Sequence, residues 1–417
     1  EFNSLLPCNF RVTMPTDEPS KRKSILPTIP TSLMLKKSNE ALSDFERTFN
    51  DRVMDIFAEN RRIDVEEFKK NAECFLNIIR SNKIDLNWGE GGESRYVTIT
   101  RLMKILKTSP QSIKDLLPHN TVSNFVKITN YNLTIDITLL EELVRTVIHA
   151  EESYIKLLPF SENSTEISSY SLQDFVATHF IPIMIEEPEN PVYYTAYAVG
   201  TIFFLLGARR RDCVYLKDLL ASTLLLQLEE CIHAENHCLS PPKIDVFTVA
   251  QFRTTLSEFR FLDSQRKGLL APADLKFFRD GIFNEVFTKR IFEISITYED
   301  GRIDFKAFVD FVTALKFRHT TASAKYHFEI LDLKDDGLLD EEEIRSISSF
   351  QLQNLPDYVP EDNSVNPEVA TAELRDMMRL NQNGITLEEF LANRMNSTFA
   401  GFLSNSDDYM KYERREQ

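Results

Sequence analysis

The sequence predicts an all-α protein, built as an elongated helical array of paired helix–loop–helix cassettes behind a helical N-terminal domain. Apolar residues recur at helical spacing over most of the chain, as Phe328 and Leu331 do before the loop at Asp332. Loops of about twelve residues that begin and end with an acid follow such helices at Asp263 and Asp332. After Pro159, an apolar residue followed four positions later by an acid or its replacement occurs six times, which indicates a repeat.

The best-defined cassette runs from Ala324 to Ile347, and its loop from Asp332 to Glu343 has the length of an EF-hand loop. EF-hands bind calcium through oxygens at loop positions 1, 3, 5, 7, 9 and 12, and they need glycine at position 6 for a sharp turn. Gly337 falls at position 6. The candidate metal ligands are Asp332, Asp336, Leu338 through its carbonyl, Asp340 and Glu343. Ca²⁺ at this one loop is the expected cofactor.

Position 3 departs from this pattern, because Lys334 places an ammonium group where a ligand oxygen belongs. The change removes a ligand and adds repulsion toward a divalent cation. Six oxygens remain if Glu343 binds through both carboxylate oxygens. Two interpretations therefore stay open, a loop that binds calcium and an EF-hand fold whose loop is empty.

The other repeats have lost more ligands, so the array is predicted to consist mostly of degenerate EF-hands. The six repeat markers are Tyr170/Asp174, Val214/Asp218, Leu270/Asp274, Ile303/Ala307, Leu339/Glu343 and Ile385/Glu389. In the loop at Asp263, Gln265 and Lys267 stand at positions 3 and 5, which leaves too few anionic oxygens for calcium. Because a single EF-hand does not bury its apolar face alone, we expect the Gly301 cassette to be the partner of the Asp332 cassette.

The loop from Gly207 to Asp218 is predicted to bind no cation, since Arg209 and Arg211 occupy its ligand positions. The apolar stretch from Val192 to Ala208 ahead of it has two readings, a membrane span with a basic flank or a buried helix. We favour burial because seventeen residues are marginal for crossing a bilayer.

A second cluster, at the end of a predicted helix, suggests zinc by its spacing. Its residues are Cys231, His233, His237 and Cys238. The two histidines lie one helical turn apart, which is a zinc-capable spacing, but the cysteines would point elsewhere on a continuous helix. A helix end before two prolines is the favoured interpretation.

Composition and spacing divide the chain into five segments. Residues 1–13 begin with Glu-Phe, as a common cloning site encodes, and are expected to be foreign to the natural chain. Residues 14–39 contain four prolines and are expected to form a disordered arm. A helical N-terminal domain is predicted over residues 40–158, an EF-hand array over residues 159–396 and a C-terminal tail over residues 397–417.

Charge and residue usage narrow the function. The formal net charge of −16 argues against nucleic acid as the main partner. Five cysteines without a CxxC motif indicate a reducing compartment, so we expect a cytoplasmic protein. Only 11 glycines occur and no motif of nucleophilic, metal or phosphate-transfer catalysis is present, so catalysis by this chain has no support.

Two strings, ITYEDGRIDFKAFVDFVTALKFR and YHFEILDLKDDGLLDEEEI, carry a resemblance to a known family. The region from Tyr154 to the C-terminus resembles the B″ regulatory subunits of protein phosphatase type 2A, and most of all their gamma or spindle-assembly branch. The segment from Asp300 to Leu315 is the most specific part of the match. The resemblance carries the family's calcium residues onto Asp332, Asp336, Asp340 and Glu343, with Lys334 as a departure.

This resemblance implies a non-catalytic protein. Such subunits bind the helical-repeat scaffold and catalytic subunits of the phosphatase and direct dephosphorylation to particular substrates or structures. The centrosome, the spindle and the nucleus are the further locations that the resemblance implies. The alternative is an EF-hand calcium sensor or adaptor that is not tied to a phosphatase and whose helices open on metal binding.

Overall fold

The computed structural model describes residues 65–85, 95–129, 133–161, 165–186, 188–239, 245–298, 301–353, 367–380 and 384–413. The predicted segments 1–13 and 14–39 lie outside these residues. Within them the chain is helical apart from short antiparallel β-pairings, which confirms the prediction of an all-α array.

The N-terminal part joins two cassettes through a three-stranded antiparallel sheet. Its elements are α1 (Val65–Ser81), β1 (Ile84–Asp85), β2 (Arg95–Thr98), α2 (Ile99–Thr108), α3 (Gln111–Leu116), α4 (His119–Thr129), β3 (Thr134–Asp136) and α5 (Ile137–Leu157). Val97 of β2 lies opposite Ile135 of β3, and both side chains are fully buried. Asp136 begins α5 by accepting a hydrogen bond from the Thr138 N–H at 2.9 Å. This first pair follows the same plan as the later cassettes, which the sequence did not predict.

The second pair is joined by a two-stranded sheet. Its elements are β4 (Glu166–Ser168), α6 (Ser169–His179), α7 (Pro191–Leu205), β5 (Cys213–Tyr215), α8 (Leu216–Ala221) and α9 (Leu224–Asn236), with 3-10 turns at Leu158–Phe160 and Ile181–Ile183. Ile167 lies opposite Val214. The repeat marker predicted at Tyr170 is therefore wrong by three residues. Tyr170 is 74% exposed, and the buried residue that meets Val214 is Ile167.

Helix α7 is the apolar stretch for which burial was favoured over a membrane span. Its Tyr194 and Tyr197 hydroxyls donate to the carbonyls of Phe247 and Val246 at 2.6 and 2.8 Å, and both rings are buried. The helix lies inside the largest hydrophobic core, as the burial interpretation predicts. Among the described residues, no helix combines the length and the apolar character needed to span a bilayer.

The third pair consists of α10 (Val249–Leu262), α11 (Pro272–Leu275), α12 (Glu285–Ile294) and α13 (Phe305–Lys316), with a 3-10 turn at Phe278–Gly281. Leu270 and Ile303 exchange backbone hydrogen bonds of 2.8 and 3.0 Å, and both side chains are fully buried. The Asp263 and Gly301 cassettes are thus partners of each other.

The fourth pair consists of α14 (Thr321–Leu331), β6 (Leu338–Leu339), α15 (Glu341–Gln353), α16 (Pro367–Met378), β7 (Ile385–Thr386) and α17 (Leu387–Ala392). Leu339 lies opposite Ile385. The predicted partnership of the Gly301 and Asp332 cassettes is therefore wrong. Two cassettes pair through the apolar residue and the backbone hydrogen-bonding groups of their loops. The Ile385 cassette keeps both of these features, although it has lost its metal ligands.

Two further helices follow where residues 397–417 are predicted to be a tail. They are α18 (Asn396–Ser404) and α19 (Ser406–Glu413). Phe399, Phe402 and Tyr409 are almost fully buried in the same core as α14 to α17. The C-terminal helices are therefore part of the fourth pair's core.

Asn284 connects these C-terminal helices to the third pair. Its side-chain amide donates to the Leu403 carbonyl at 2.7 Å and to Gln351 Oε1 at 3.0 Å, and its Oδ1 caps α12 by accepting from the Phe287 N–H at 2.8 Å. The residue is 1% exposed, so water does not compete for these bonds.

We expect Asn284→Ala to lower the free energy of unfolding by about 2–3 kcal/mol, because it removes a helix cap and leaves two buried acceptors without their donor. Urea titration followed by circular dichroism measures the loss. Asn190→Ala is the matched control, since Asn190 caps α7 through one bond to the Tyr193 N–H. It should cost about 1 kcal/mol or less, and equal losses in the two variants would contradict the role of the buried acceptors.

Candidate functional site

The predicted cation loop lies between α14 and α15. Asp332 ends α14, and its N–H donates to the Phe328 carbonyl at 2.9 Å. Gly337 has a φ of +80°, a left-handed conformation that glycine adopts without strain. The acid at position 1 and the glycine at position 6 thus lie where the sequence places them.

The carboxylates at both ends of the loop bind the loop's own backbone. Asp332 Oδ2 accepts from the Gly337 N–H at 2.8 Å. Glu343 accepts from the N–H groups of Lys334 and Asp340 at 3.0 and 2.9 Å. Burial raises the pKa of the carboxyl groups of Asp332 and Glu343. These two acids therefore hold the loop closed through backbone hydrogen bonds.

Lys334 folds back across the loop. Its Nζ lies 2.6 Å from Asp340 Oδ2 and 2.7 Å from Glu342 Oε2. The hydrogen bonds to Asp340 and Glu342 raise the pKa of the Lys334 ammonium group above its usual value. The loop thus contains a positive charge, supplied by the side chain at the position that was expected to provide an oxygen.

As arranged here, the candidate ligands do not fit Ca²⁺. Both carboxylate oxygens of Asp332, Asp340 and Glu343 already accept hydrogen bonds, and Asp336 Oδ1 accepts from the Leu338 N–H at 2.9 Å. In the part of the chain that the structure describes, no group of three or more His, Cys, Asp or Glu residues is arranged to hold a metal ion. A cation at this loop requires the Lys334 ammonium group to leave Asp340 first.

The same bonds recur in cassettes that have lost their ligands. Asp263 accepts two backbone N–H bonds from its own loop, at 2.9 and 2.7 Å. Asp274 accepts from the Ala271 N–H at 2.8 Å, and Glu389 accepts from the Thr386 N–H at 2.8 Å. Acids at positions 1 and 12 therefore shape the loops without a cation, which gives a structural reason for their presence.

Arg290 of α12 supports the loop from the neighbouring cassette pair. Its guanidinium donates to the carbonyls of Asp332 and Glu329 at 2.7 and 2.9 Å, and it forms a 2.7 Å ion pair with Asp335. Its side chain is 8% exposed. The sequence does not predict this role for Arg290, because a single arginine in an amphipathic helix gives no signal of such a contact.

The arginines of the Gly207 loop have a related role. Arg209 and Arg210 donate to the Ile294 carbonyl at 3.1 and 2.7 Å, and both form ion pairs with Glu329 of α14. Arg209, which was predicted at a ligand position, and its neighbour Arg210 thus connect the second cassette pair to α12 and α14.

The Cys231, His233, His237 and Cys238 cluster does not converge on one point. The two histidine rings stack at 4.2 Å, and His237 Nδ1 lies 2.8 Å from the His233 carbonyl. Cys231 is buried, while Cys238 is exposed in a left-handed conformation after the helix. This arrangement supports a helix end, as the favoured interpretation predicts.

The paired cassettes and their loops define an all-α helix–loop–helix repeat protein. Family models match along most of its length: the RSA-1 N-terminal domain at residues 42–151, the RSA-1 middle domain at residues 162–248 and the RSA-1 C-terminal domain at residues 263–417. Together with the curated relatives described next, these matches show that the chain belongs to the B″ family of protein phosphatase 2A regulatory subunits.

Two relatives are the B″ gamma subunits of Xenopus tropicalis and Homo sapiens. Each is 26% identical, over 231 and 227 residues, and each match covers 54% of this chain and 49% of the relative. The probable B″ subunit TON2 of Arabidopsis thaliana is 28% identical over 163 residues, covering 37% of this chain and 34% of that protein. The chain therefore spans about half the length of the gamma subunits that it matches.

A solved structure described as a PP2A PR70 holoenzyme, and marked diCa, shares the fold. The match has a TM-score of 0.51 at 19% identity and covers 63% of this chain and 98% of the matched chain. It supports the all-α helical array.

Proposed function

We propose that this chain is a non-catalytic regulatory and targeting subunit that binds the scaffold and catalytic subunits of protein phosphatase 2A. In this role it directs dephosphorylation to particular substrates or structures. The observation that carries the proposal is membership of the B″ family, whose matched relatives are named as regulatory subunits of this phosphatase. The cytoplasm, with the centrosome, spindle or nucleus, is the proposed location.

We further propose that the cassettes after residue 159 are degenerate EF-hands. In each of these pairs, apolar loop residues meet across an antiparallel contact: Ile167 with Val214, Leu270 with Ile303, and Leu339 with Ile385. Arg209 and Arg210 of the Gly207 loop and Arg290 of α12 then connect one cassette pair to the next. The domain limits at residues 158 and 396 stay predictions.

Calcium at Asp332, Asp336, Leu338, Asp340 and Glu343 stays a hypothesis. The diCa form of the PR70 holoenzyme supports calcium in a protein with this fold. The ion pairs of Lys334 with Asp340 and Glu342 favour a loop that keeps its shape without calcium. We therefore propose an adaptor that assembles constitutively, and the calcium sensor is the alternative.

The test is assembly from purified components. The full chain, mixed with scaffold and catalytic subunits, is expected to elute as a stoichiometric ternary complex in size-exclusion chromatography. The complex should form equally in EGTA and in calcium, because the Asp332 loop is held in shape by hydrogen bonds to its own backbone. A chain that elutes apart from the scaffold in both buffers would remove the phosphatase role. Assembly only with calcium would contradict constitutive assembly, while calcium binding by a chain that does not assemble would favour the sensor.

A further inference from the structure

An EF-hand calcium switch binds two partners, a calcium ion and a target helix. We propose that the fourth cassette pair, α14 to α17, replaces both partners with parts of its own chain, so that it acts as a permanently closed clamp. The Lys334 ammonium takes the place of the cation, and helix α18 takes the place of the target helix. The proposal rests on the EF-hand interpretation of these cassettes, and its tests do not involve phosphatase assembly.

The cation is the first of the two partners that the chain replaces. Between residues 332 and 343 the chain has seven acids, and Lys334 is the single basic residue. Like charges crowded into one loop repel each other, so the loop needs a positive charge near its carboxylates. Lys334 supplies it through ion pairs of 2.6 and 2.7 Å to Asp340 and Glu342. Arg290, from outside the loop, supplies a second by its pair with Asp335.

The target helix is the second partner that the chain replaces. Sensor EF-hands open on binding calcium and expose an apolar groove, which then binds the apolar face of an amphipathic helix. Here α18 already lies against α14, α15 and α16. Phe399 and Phe402 are at most 1% exposed, and the Phe399 ring lies 6.0 Å from that of Phe390 of α17. The apolar interior of the pair is thus filled by the chain itself.

Contacts beyond the pair hold this helix in place. The Ser406 N–H donates to the Ile282 carbonyl at 2.9 Å, and Asn405 forms an antiparallel bridge with Phe283. Arg318 forms an ion pair with Asp408 of α19. Release of α18 would therefore break polar bonds to the third pair as well as the apolar contacts within the fourth.

The decisive variant is Lys334→Asp, which removes the ammonium group and supplies the missing oxygen at position 3. Isothermal titration of the full chain with calcium chloride should show no binding by the wild type up to about 1 mM, the weak end of EF-hand affinities. The variant should bind at least about 100-fold more tightly, because ligand charge sets affinity. Wild-type binding as tight as that of the variant would overturn the proposal.

Lys334→Met is the matched control, since it removes the charge without adding a ligand. Its melting temperature should fall, because the carboxylates lose their positive partner, and calcium should restore little of the loss. An unchanged melting temperature in Lys334→Met would show that the ammonium group is not the loop's cation.

The target-helix part is tested with the dye 8-anilinonaphthalene-1-sulfonate, which fluoresces on exposed apolar surface. With Lys334→Asp loaded with calcium, dye fluorescence should stay within about 20% of its calcium-free level, since α18 keeps the interior covered. A several-fold rise on adding calcium would show an opening switch and would contradict the clamp.

Discussion

Replacing Arg290 by methionine is expected to lower the free energy of unfolding by about 3–5 kcal/mol. Methionine keeps much of the side-chain volume but cannot donate to the carbonyls of Asp332 and Glu329, which receive bonds of 2.7 and 2.9 Å. The side chain is 8% exposed, so water has little access to replace those bonds. The loss should appear in urea titration of the full chain.

Lys289→Met provides the control on the same helix. Lys289 pairs with Glu293 at 3.3 Å, but its side chain is 73% exposed, and surface pairs of this kind contribute about 0–1 kcal/mol. A loss in Arg290→Met no larger than that in Lys289→Met would show that the guanidinium does not join the two cassette pairs. A large difference would support Arg290 as the main polar contact between α12 and the Asp332 loop.

Replacing Asp310 by asparagine is expected to stabilise the protein near neutral pH by a few kcal/mol. Asp310 lies on α13, is 7% exposed, and its Oδ1 has no hydrogen-bond partner among the described residues. Burial raises the pKa of this carboxyl group to about 8, although Lys306 and Arg209 act in the opposite direction. Folding near neutral pH therefore requires the group to take up a proton, and asparagine needs none.

The pH dependence has a definite sign. The folded state binds the proton up to about pH 8, whereas the unfolded chain releases it near pH 4. This contribution to stability is thus complete below about pH 4 and is lost as the pH rises to about 8. The advantage of Asp310→Asn over the wild type should grow by about 1.4 kcal/mol per pH unit in that window and level off above it.

Urea titrations at several pH values between 5 and 9 measure this difference. Asp376→Asn, at an exposed carboxylate on α16, is the control against which the pH dependence of Asp310→Asn is compared. A difference between Asp310→Asn and the wild type that does not change with pH would mean that Asp310 is ionised in the folded protein.

Much of the local structure was predictable from the sequence. The spacing of Phe328 and Leu331 predicts α14, and the glycine and acids that follow predict its loop. Less was predictable where one signal has two meanings. Acids at positions 1 and 12 suggest metal ligands, but Asp263, Asp274 and Glu343 accept N–H bonds from their own loops. A metal ligand and an acceptor of backbone hydrogen bonds require the same residue type at the same position, so the sequence does not distinguish them.

The sequence by itself determined the helical class, the positions of the loops and the family, because helix spacing and turn residues act over a few neighbouring positions. Only the tertiary structure decided that Leu270 meets Ile303 and Leu339 meets Ile385, that Lys334 turns back onto Asp340, and that the predicted tail fills the core as α18. These choices depend on surfaces and charges that come together from distant parts of the chain. No local pattern records which of several similar apolar edges will fit another.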